Sequence, residues 1–379
     1  MSGDVVTQRR RGAESGVATQ ARLGDVCRID TSTSFPCEEE IWLLNLDMIE
    51  QQTGRVIQRI YVDRNAPGES TVAFDEDCIL YSKLRPNLNK VVLPDCKGVA
   101  TSEILPLRSN ADRATREFVC WFLRSPTFVS YAMNRTAGAK MPRLGTKELL
   151  NAKIPLPPLD EQRRITAKLD RICDIIAKRK QQLVQLQQLV KSRFVEMFGN
   201  VEAGTAKFPI VNLADVCQSI SAGKDVPEDS VKISDENHRV PIYSNGIEND
   251  GLYGFANEAR ITKPSITISG RGTIGFVKRR EQPFVPIIRL IVATPNREIM
   301  DLSYLEAALS GRSAKNTGTS IPQLTVPVAR RIKVMTPPLA LQREFAAFVA
   351  KVDKLAFAVR ESLESAEKLY RKQLSEAFS

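Results

Sequence analysis

The feature that most constrains the fold of this chain is an internal repeat. Residues 138–199 align without a gap onto residues 318–379, at an offset of 180 that holds over 62 positions. A Pro-Pro-Leu-x-x-Gln-Arg motif at 157–163 recurs at 337–343. A shorter match, at an offset of 190, places 23–27 on 213–217. Two copies are too few for a solenoid, so the repeat predicts two similar units related by a pseudo-twofold axis.

Each copy ends in a long helix with a heptad pattern. Pro157 and Pro158 block helix ahead of Asp160, the predicted N-cap, while Gly199 and Asn200 offer a stop. Apolar residues at a 4,3 spacing form a seam on each helix, and each seam needs a partner helix. The seam residues are Ile165, Leu169, Ile172, Ile176, Leu183, Leu186, Val190 and Met197 in the first helix and Phe345, Val349, Val352, Val359, Leu363 and Tyr370 in the second.

Three polar residues interrupt these seams. They are Arg179 and Arg193 in the first helix and Gln373 in the second. One interpretation is that their long side chains reach solvent from the edge of the helix pair. The other is that they fix the register of the pair, because polar groups at seam positions penalise slipped pairings.

The connectivity of the chain predicts how the helices run. The first helix leaves one globular part and arrives at the other, from which the second helix departs, so the packed helices must be antiparallel. We therefore expect the globular parts at opposite ends of a rod. A helix of about 36 residues is ~54 Å long at ~1.5 Å per residue, which corresponds to at most ~16 base pairs of B-DNA.

Both globular parts are predicted to mix strands and helix. In each part, short β-type runs precede one helical stretch. The runs are 77–84, 90–93 and 99–107 before a helix near 113–133, and 265–269, 273–279 and 284–293 before a helix near 297–309. The predicted fold class is therefore α/β (α+β): two similar globular domains joined by a coiled-coil spacer.

Charge and cysteine content narrow the class of protein. The net charge of +10 is concentrated in 138–199 (+7) and 318–379 (+4), whereas 21–137 sums to −2 and 200–317 to 0. A basic excess favours a polyanionic partner but does not name one. Seven cysteines without a C-x-x-C indicate a reducing compartment, and no apolar stretch is long enough to cross a bilayer, so we expect a cytoplasmic protein.

With these residues in view, the sequence resembles the specificity subunit of type I restriction-modification systems. The resemblance covers nearly all of 23–379. It rests on the doubled Pro-Pro-Leu-x-x-Gln-Arg motif before each heptad helix, on Asp77-Cys-Ile-Leu-Tyr-Ser-Lys-Leu-Arg-Pro-Asn-Leu-Asn-Lys90, and on Ser269-Gly-Arg-Gly-Thr-Ile-Gly275. The doubled arrangement is specific, whereas each short motif alone is weak.

The resemblance implies a subunit without chemistry of its own. Two target recognition domains would each read one half of a bipartite double-stranded DNA sequence, and paired conserved helices would set the spacing and dock two methyltransferase (modification) subunits. Cofactors are expected only on partners: S-adenosylmethionine on the methyltransferase, and ATP on a restriction subunit, whose presence stays open. The implied domains are a loose tail 1–20, a first recognition domain 21–153, a central helix 154–199, a second recognition domain 200–333 and a C-terminal helix 334–379.

The segment Gly270-Arg-Gly-Thr-Ile-Gly275 matches G-x-G-x-x-G, the dinucleotide fingerprint, but a β-type run follows it where that fingerprint needs a helix. We therefore reject the cofactor interpretation. Glycines in a tight turn explain the spacing. A sharper hypothesis is that the turn presents Arg271 to a guanine edge or a phosphate.

The segment 81–90 leaves a strand and turns at Pro86-Asn87. It is either a polar hairpin that faces water or a loop along a DNA groove, with Lys83 and Lys90 on phosphates and Arg85, Asn87 or Asn89 on base edges. The remaining DNA-binding candidates lie in the second globular part: Tyr243, Asn245, Lys278, Arg279, Lys315 and Asn316.

Several catalytic motifs are missing from the sequence. It contains neither an Asp/Asn-Pro-Pro-aromatic tetrapeptide nor a P-loop, and its one histidine, His238, leaves almost no material for a triad or a His metal site. We therefore predict no catalytic and no metal-binding residues. The leading hypothesis is a non-catalytic DNA-recognition subunit. The alternative is an assembly scaffold for methyltransferases that reads no DNA, and a stand-alone enzyme is disfavoured.

Overall fold

A computed structural model of the chain describes residues 19–68, 70–138, 140–271, 274–310 and 324–379. The chain divides into two units, the first containing residues up to 178 together with 363–379, and the second containing 179–362. The division passes through both long helices. Each unit therefore includes a length of each helix.

The first unit contains twelve of the described strands. Its elements are β1 (Thr19–Arg22), α1 (Leu23–Val26), β2 (Cys27–Ile29), β3 (Glu40–Leu44), β4 (Ile60–Asp63), β5 (Thr71–Phe74), β6 (Ile79–Ser82), β7 (Val91–Val92), β8 (Gly98–Thr101), β9 (Ile104–Ser109), α2 (Arg116–Arg124), α3 (Pro126–Met133), β10 (Thr136–Ala137), β11 (Arg143–Leu144), α4 (Thr146–Leu150), β12 (Lys153–Leu156) and the start of α5 (Leu159–Phe198). Two four-stranded sheets, in the orders β2-β9-β6-β7 and β4-β3-β8-β5, form its centre. All their pairs are antiparallel except β3 with β8.

The second unit repeats this plan. Its elements after α5 are β13 (Ile210–Asn212), α6 (Leu213–Val216), β14 (Cys217–Ala222), β15 (Val240–Tyr243), β16 (Leu252–Ala256), β17 (Ser265–Ile268), β18 (Val277–Arg280), β19 (Val285–Pro286), β20 (Ile291–Pro295), α7 (Leu302–Ser310), α8 (Val326–Arg330), β21 (Lys333–Met335) and the start of α9 (Leu339–Ala377). Its sheets have the orders β14-β20-β17-β18 and β16-β15-β19, and β15 pairs with β19 in parallel, as β3 does with β8. The mixed fold class and the internal repeat are confirmed.

Each unit closes its core with a phenylalanine from the other repeat. In the first unit Phe378, at the end of the second repeat, packs on Phe118 with ring centroids 5.1 Å apart. In the second unit Phe198, at the end of the first repeat, packs on Tyr304 at 4.8 Å. All four side chains are at most 1% exposed. Because each core needs the end of the other copy's helix, neither repeat can complete its own core.

The first long helix begins two residues earlier than expected. Helix α5 starts at Leu159, directly after the proline pair, so Asp160 lies in its first turn and is not its N-cap. At the other end Gly199 has φ +79°, and a Cβ there would lie 1.9 Å from the carbonyl oxygen of Thr205, so only glycine fits this stop.

Two predicted elements are interrupted in the structure. The helix expected near 113–133 is two helices, because Ser125 caps α3 by accepting a hydrogen bond from the amide of Phe128, and Pro126 opens that helix. The strand expected over 284–293 is β19 and β20, separated by Ile288 and Arg289 in the left-handed region. The helix expected from 297 begins at Leu302.

Other predicted limits differ by a few residues. The run 99–107 is two strands, β8 and β9, and β18 begins only at Val277. Strand β1 pairs with β12 from Thr19 onward, so the last two residues of the predicted tail belong to the sheet. The predicted helical segments 154–199 and 334–379 begin with the ends of β12 and β21. In the described part of the chain, no helix is both long enough and apolar enough to cross a membrane.

Candidate nucleic-acid interface

In both long helices the seam positions are turned away from solvent. The seam residues Ile165, Leu169, Ile172, Ile176, Leu183, Leu186, Val190, Met197, Phe345, Val349, Val352, Val359, Leu363 and Tyr370 are all buried or half-buried. In the second unit Arg179 Nε donates to Ser362 Oγ (3.1 Å), and Arg193 pairs with Glu344 (3.2 Å). From the first contact to the second, the residue number rises along α5 and falls along α9. The two helices are therefore antiparallel in this unit. The arginines thus contact the partner helix, as the register hypothesis requires, whereas Gln373 bonds Glu376 of its own helix (2.8 Å).

A buried glutamine ties each globular part to its helix. Gln162 accepts a hydrogen bond from the amide of Thr115 at the start of α2 (2.9 Å), and its Nε2 donates to the carbonyls of Arg113 and Pro157. Gln342 makes the same three bonds, from the amide of Asp301 (2.8 Å) and to the carbonyls of 299 and 337. Both glutamines are fully buried. The glutamine of the doubled motif is therefore the joint between the long helix and the start of the shorter helix, α2 or α7, in both units.

Two DNA-binding candidates of the 81–90 loop form hydrogen bonds inside the first unit. Lys90 donates to the carbonyl of Leu46, and burial lowers the pKa of Lys90. Asn89 is 9% exposed and donates to the carbonyl of Arg124 (2.9 Å). These contacts join residues more than 30 positions apart, which local sequence could not reveal. Lys90 and Asn89 thus organise the loop from within.

The other three candidates of this loop remain accessible. Arg85 and Asn87 are exposed and Lys83 is half-buried. Arg85 has φ +50°, and it forms no ion pair with any residue that the structure describes. The accessible face of the loop therefore carries Lys83, Arg85 and Asn87.

Three DNA-binding candidates of the second unit form ion pairs or a cation–π contact with other residues of that unit. Arg279 pairs with Glu306 (2.9 Å), Glu281 (3.4 Å) and Asp353 of α9. Lys278 pairs with Asp250 at 3.0 Å. The ring of Tyr243 lies under the guanidinium of Arg280, 3.5 Å from the ring centroid. Burial works to lower the pKa of Arg279, but the surrounding carboxylates outweigh it and raise that pKa. A guanidinium shared among three carboxylates ties the sheet to the helix pair, a role that sequence reasoning did not give it.

Two neighbouring turns hold the remaining described candidates. Asn245 donates to the carbonyl of Ile288 and accepts from the amide of Gly270 (2.8 Å), so its side chain links two loops. Arg271 follows Gly270 and is exposed. The next element after this turn is strand β18 and not a helix, whereas the dinucleotide fingerprint requires a helix there. Lys315 and Asn316 lie outside the described residues.

Sequence reasoning missed one basic residue beside Arg271. Arg289 is exposed, and a Cβ on Gly270 would lie 3.5 Å from its carbonyl oxygen. The sequence pattern predicts a single apolar strand over 284–293. An arginine inside such a run was the available signal, because a charged residue in a fully buried strand needs an explanation.

The first unit also contains a buried cluster of charges. Asp30, Asp75 and Cys78 each offer one atom within 4.8 Å of the others, a spacing that could hold a metal ion. Arg108 already supplies the cation, with its guanidinium 2.8 Å from Asp30 and 2.5 Å from Asp75. Burial raises the pKa of Cys78 to about 12, so its sulfur is a neutral thiol and a poor ligand. The cluster therefore fits an ion-pair network better than a metal site.

The carboxylates of this network are strongly held in the charged form. Burial works to raise the pKa of Asp30, but hydrogen bonds from Ser32, Thr33 and Arg108 outweigh it and hold the pKa well below its usual range. The pKa of Asp75 is lowered in the same way, with Arg108 as the main donor against burial. At neutral pH the network is therefore fully ionised.

Comparison with known proteins assigns this architecture to a family. The family model for the type I restriction modification DNA specificity domain matches the chain twice, over residues 19–188 and 206–366. The chain belongs to this specificity family. The two matches correspond to the two copies of the repeat, so the suspected resemblance is confirmed.

The specificity family is also represented among similar sequences and structures. A type I specificity subunit of Mycoplasma pneumoniae is 28% identical over 225 residues, which cover 59% of this chain and 60% of that relative. The chain thus spans about 60% of that relative's length. The S subunit crystal structure from M. genitalium gives a TM-score of 0.63 at 16% identity, covering 97% and 98% of the chains. A chain from a type I R-M assembly structure gives 0.57 at 21% identity, covering 95% and 97%.

Proposed function

We propose that this chain is the non-catalytic DNA sequence-recognition subunit of a type I restriction-modification complex. Each unit reads one half of a bipartite asymmetric duplex target, and the helices set the spacing and dock two methyltransferase subunits. The observation that carries this proposal is the doubled plan, in which each globular part is joined to its long helix through the same buried glutamine. S-adenosylmethionine, and ATP where a restriction subunit is present, belong to the partners.

The candidate DNA-reading residues recur at corresponding places in the two units. The turn after β6 presents Arg85, and the turn after β17 presents Arg271, both exposed. The carbonyls of Lys83 and Gly270 at the start of these turns accept from the amides of Leu144 and Leu324, at 3.0 and 2.9 Å. An exposed arginine beside such a backbone hydrogen bond suits contact with guanine O6 and N7 or with phosphate.

Exposed apolar residues on the long helices support docking of two copies of one partner. Ile175 and Leu355 are related by the repeat offset of 180 and are 46% and 58% exposed. Leu189 and Leu369, related in the same way, are 47% and 46% exposed. Each unit thus displays one residue of each related pair, Ile175 and Leu369 in the first and Leu189 and Leu355 in the second. Repeated apolar positions that no described residue covers suit two equivalent interfaces.

The scaffold alternative is favoured by one observation, the neutral or slightly acidic sums over the two globular parts. Electrophoretic retardation of duplex DNA by the methyltransferase complex, with and without this chain, separates the two functions. We expect specific retardation, and adenine methylation within a bipartite motif, only when the chain is present. Methylation of the same adenines without the chain, or no retardation with it, contradicts DNA recognition.

Docking is tested separately by native mass spectrometry of the complex. Ile175→Arg and Leu355→Arg should each reduce the bound methyltransferase from two copies to one, and the double variant should bind none. Val184→Arg is the matched control, because Val184 is 65% exposed but its repeat equivalent, Glu364, is charged. Two bound copies in the double variant would rule out this interface.

A further inference from the structure

The second unit carries an exposed corner where two loops meet. One loop presents Arg271 after β17, and the other presents Ile288 and Arg289 between β19 and β20. Arg271 and Arg289 are exposed, and Ile288 is 48% exposed. Neither arginine forms an ion pair with a residue in the described ranges. Two free guanidinium groups therefore flank an accessible apolar side chain.

The backbone of this corner is fixed in an unusual conformation. Ile288 and Arg289 have φ values of +50° and +59°, in the left-handed region that β-branched residues rarely adopt. Their amides donate to the carbonyls of Lys224 (2.9 Å) and Gly223 (3.2 Å). This conformation costs energy. Because about half of the Ile288 side chain is exposed, the conformation adds little burial to the core. Such strain accumulates at binding sites, where the conformation serves presentation.

The two loops form one rigid surface through Asn245. Its amide nitrogen donates to the carbonyl of Ile288, and its oxygen accepts from the amide of Gly270, so one side chain holds both turns. Gly270 has no room for a side chain, because a Cβ would lie 2.7 Å from the carbonyl oxygen of Leu324. Rigid presentation lowers the entropy lost on binding.

In the first unit, the position that corresponds to Arg289 carries the opposite charge. Leu107 pairs with Ile79 as Ala293 pairs with Ile266, so the residues four positions earlier, Glu103 and Arg289, correspond. Glu103 is neutralised by Arg143 at 3.0 Å. A cation at this position is thus specific to the second unit, whereas the adjoining turn of the first unit presents Arg85. Such a difference in charge pattern is expected if the two units recognise different sequences.

We propose that Arg271, Ile288 and Arg289 form the DNA-contacting surface of the second unit. The guanidinium groups contact guanine edges or phosphates of one half-site, and Ile288 contacts a thymine methyl group or a sugar between them. The proposal rests on the DNA-recognition function above and assigns that function to particular atoms of one unit.

The test uses the full methyltransferase complex with Arg271→Ala and Arg289→Ala, at fixed salt. Duplex affinity is measured over a panel with every base varied in each half-site, and methylated adenines are mapped. We expect each variant to weaken binding by about 5- to 150-fold. If the arginine contacts a base, its removal should relax the sequence preference at one position of a single half-site. A phosphate contact weakens all sequences uniformly and lowers the salt slope by about one. Either result supports the surface.

Two controls make the outcome decisive. Arg297→Ala removes an exposed arginine at the other end of β20, a strand ~16 Å long at ~3.3 Å per residue, and should leave affinity and motif unchanged. Arg85→Ala should act on the other half-site or leave both unchanged. Wild-type affinity and motif in both corner variants, or equal losses in Arg297→Ala, overturn the surface. A wild-type complex that shows no motif at all overturns DNA recognition itself.

Discussion

The two units share one arrangement of strands and helices but differ in the polar side chains inside their sheets. At the joint they are alike, since Gln162 and Gln342 make the same three hydrogen bonds. Inside the central sheets they differ. Arg108 of the first unit pairs with Asp30 and Asp75, whereas the corresponding residue of the second, Thr294, shares a hydroxyl hydrogen bond with Ser265 at 2.8 Å.

This difference separates two kinds of constraint. The joint is repeated because both units must be held on equivalent helices, whereas the interiors of the sheets need only satisfy their own polar groups. A buried ion-pair network and a hydroxyl pair both achieve this, and they respond differently to mutation and pH.

The largest expected effect follows removal of Arg108. Arg108→Ala leaves the carboxylate of Asp30, whose side chain is 1% exposed, without its cation, so we expect the first unit to lose about 3 kcal/mol of unfolding free energy. Thr294→Ala in the second unit should cost about 1 kcal/mol, since it removes one buried hydroxyl hydrogen bond while Ser265 keeps its bond to the carbonyl of Lys263.

Urea unfolding followed by tryptophan fluorescence measures the first variant, because Trp42 and Trp121 both lie in the first unit and are buried. Hydrogen exchange of β17 and β20 measures the second. Lys97→Ala, which breaks an exposed ion pair with Glu38, is the control and should cost well under 1 kcal/mol. Equal losses in Arg108→Ala and Thr294→Ala would show that the network adds nothing beyond a hydrogen bond.

Acid should act selectively on the first unit. The pKa values of Asp30 and Asp75 are lowered in the fold, so their stabilisation is complete above the usual aspartate pKa of about 4 and is lost as pH falls through the lowered values. Tryptophan fluorescence during acid titration should therefore report loosening of the first unit below about pH 4. In Arg108→Ala this acid dependence should be weaker, because Asp75 loses its main donor while Ser32 and Thr33 still lower the pKa of Asp30. An unchanged titration would exclude Arg108 as a cause.

A third pair of variants, with an effect smaller than that of Arg108→Ala, tests the likeness of the units. Gln162→Ala and Gln342→Ala each leave a helix-start amide and two carbonyls without a partner, at a cost of about 2 kcal/mol in the unit concerned. The two losses should agree, because the bonds are the same. Hydrogen exchange of α2 and α7 measures them, and Gln188→Ala, on the exposed face of α5, is the control. A loss in only one unit would show that the joints are not equivalent.

Much of the framework could be predicted from local pattern. The repeat, the seams and the strand-rich globular parts follow from spacing that a few neighbouring residues carry, and the comparisons and structure confirm the fold class. The individual site residues were harder. Lys90, Asn89 and Arg279 have the chemistry of DNA ligands, yet their side chains form hydrogen bonds with groups that lie 27 to 74 positions away.

The sequence by itself determined that the chain is a doubled unit with two heptad helices, because helix periodicity and proline stops act over short distances. Only the tertiary structure decided which polar side chains remain free. Arg279 is taken up by carboxylates from α7 and α9, while Arg289 emerges at a turn inside an apolar run. The physical reason is that pairing depends on which distant groups the fold brings within hydrogen-bonding distance, and local sequence does not encode that distance.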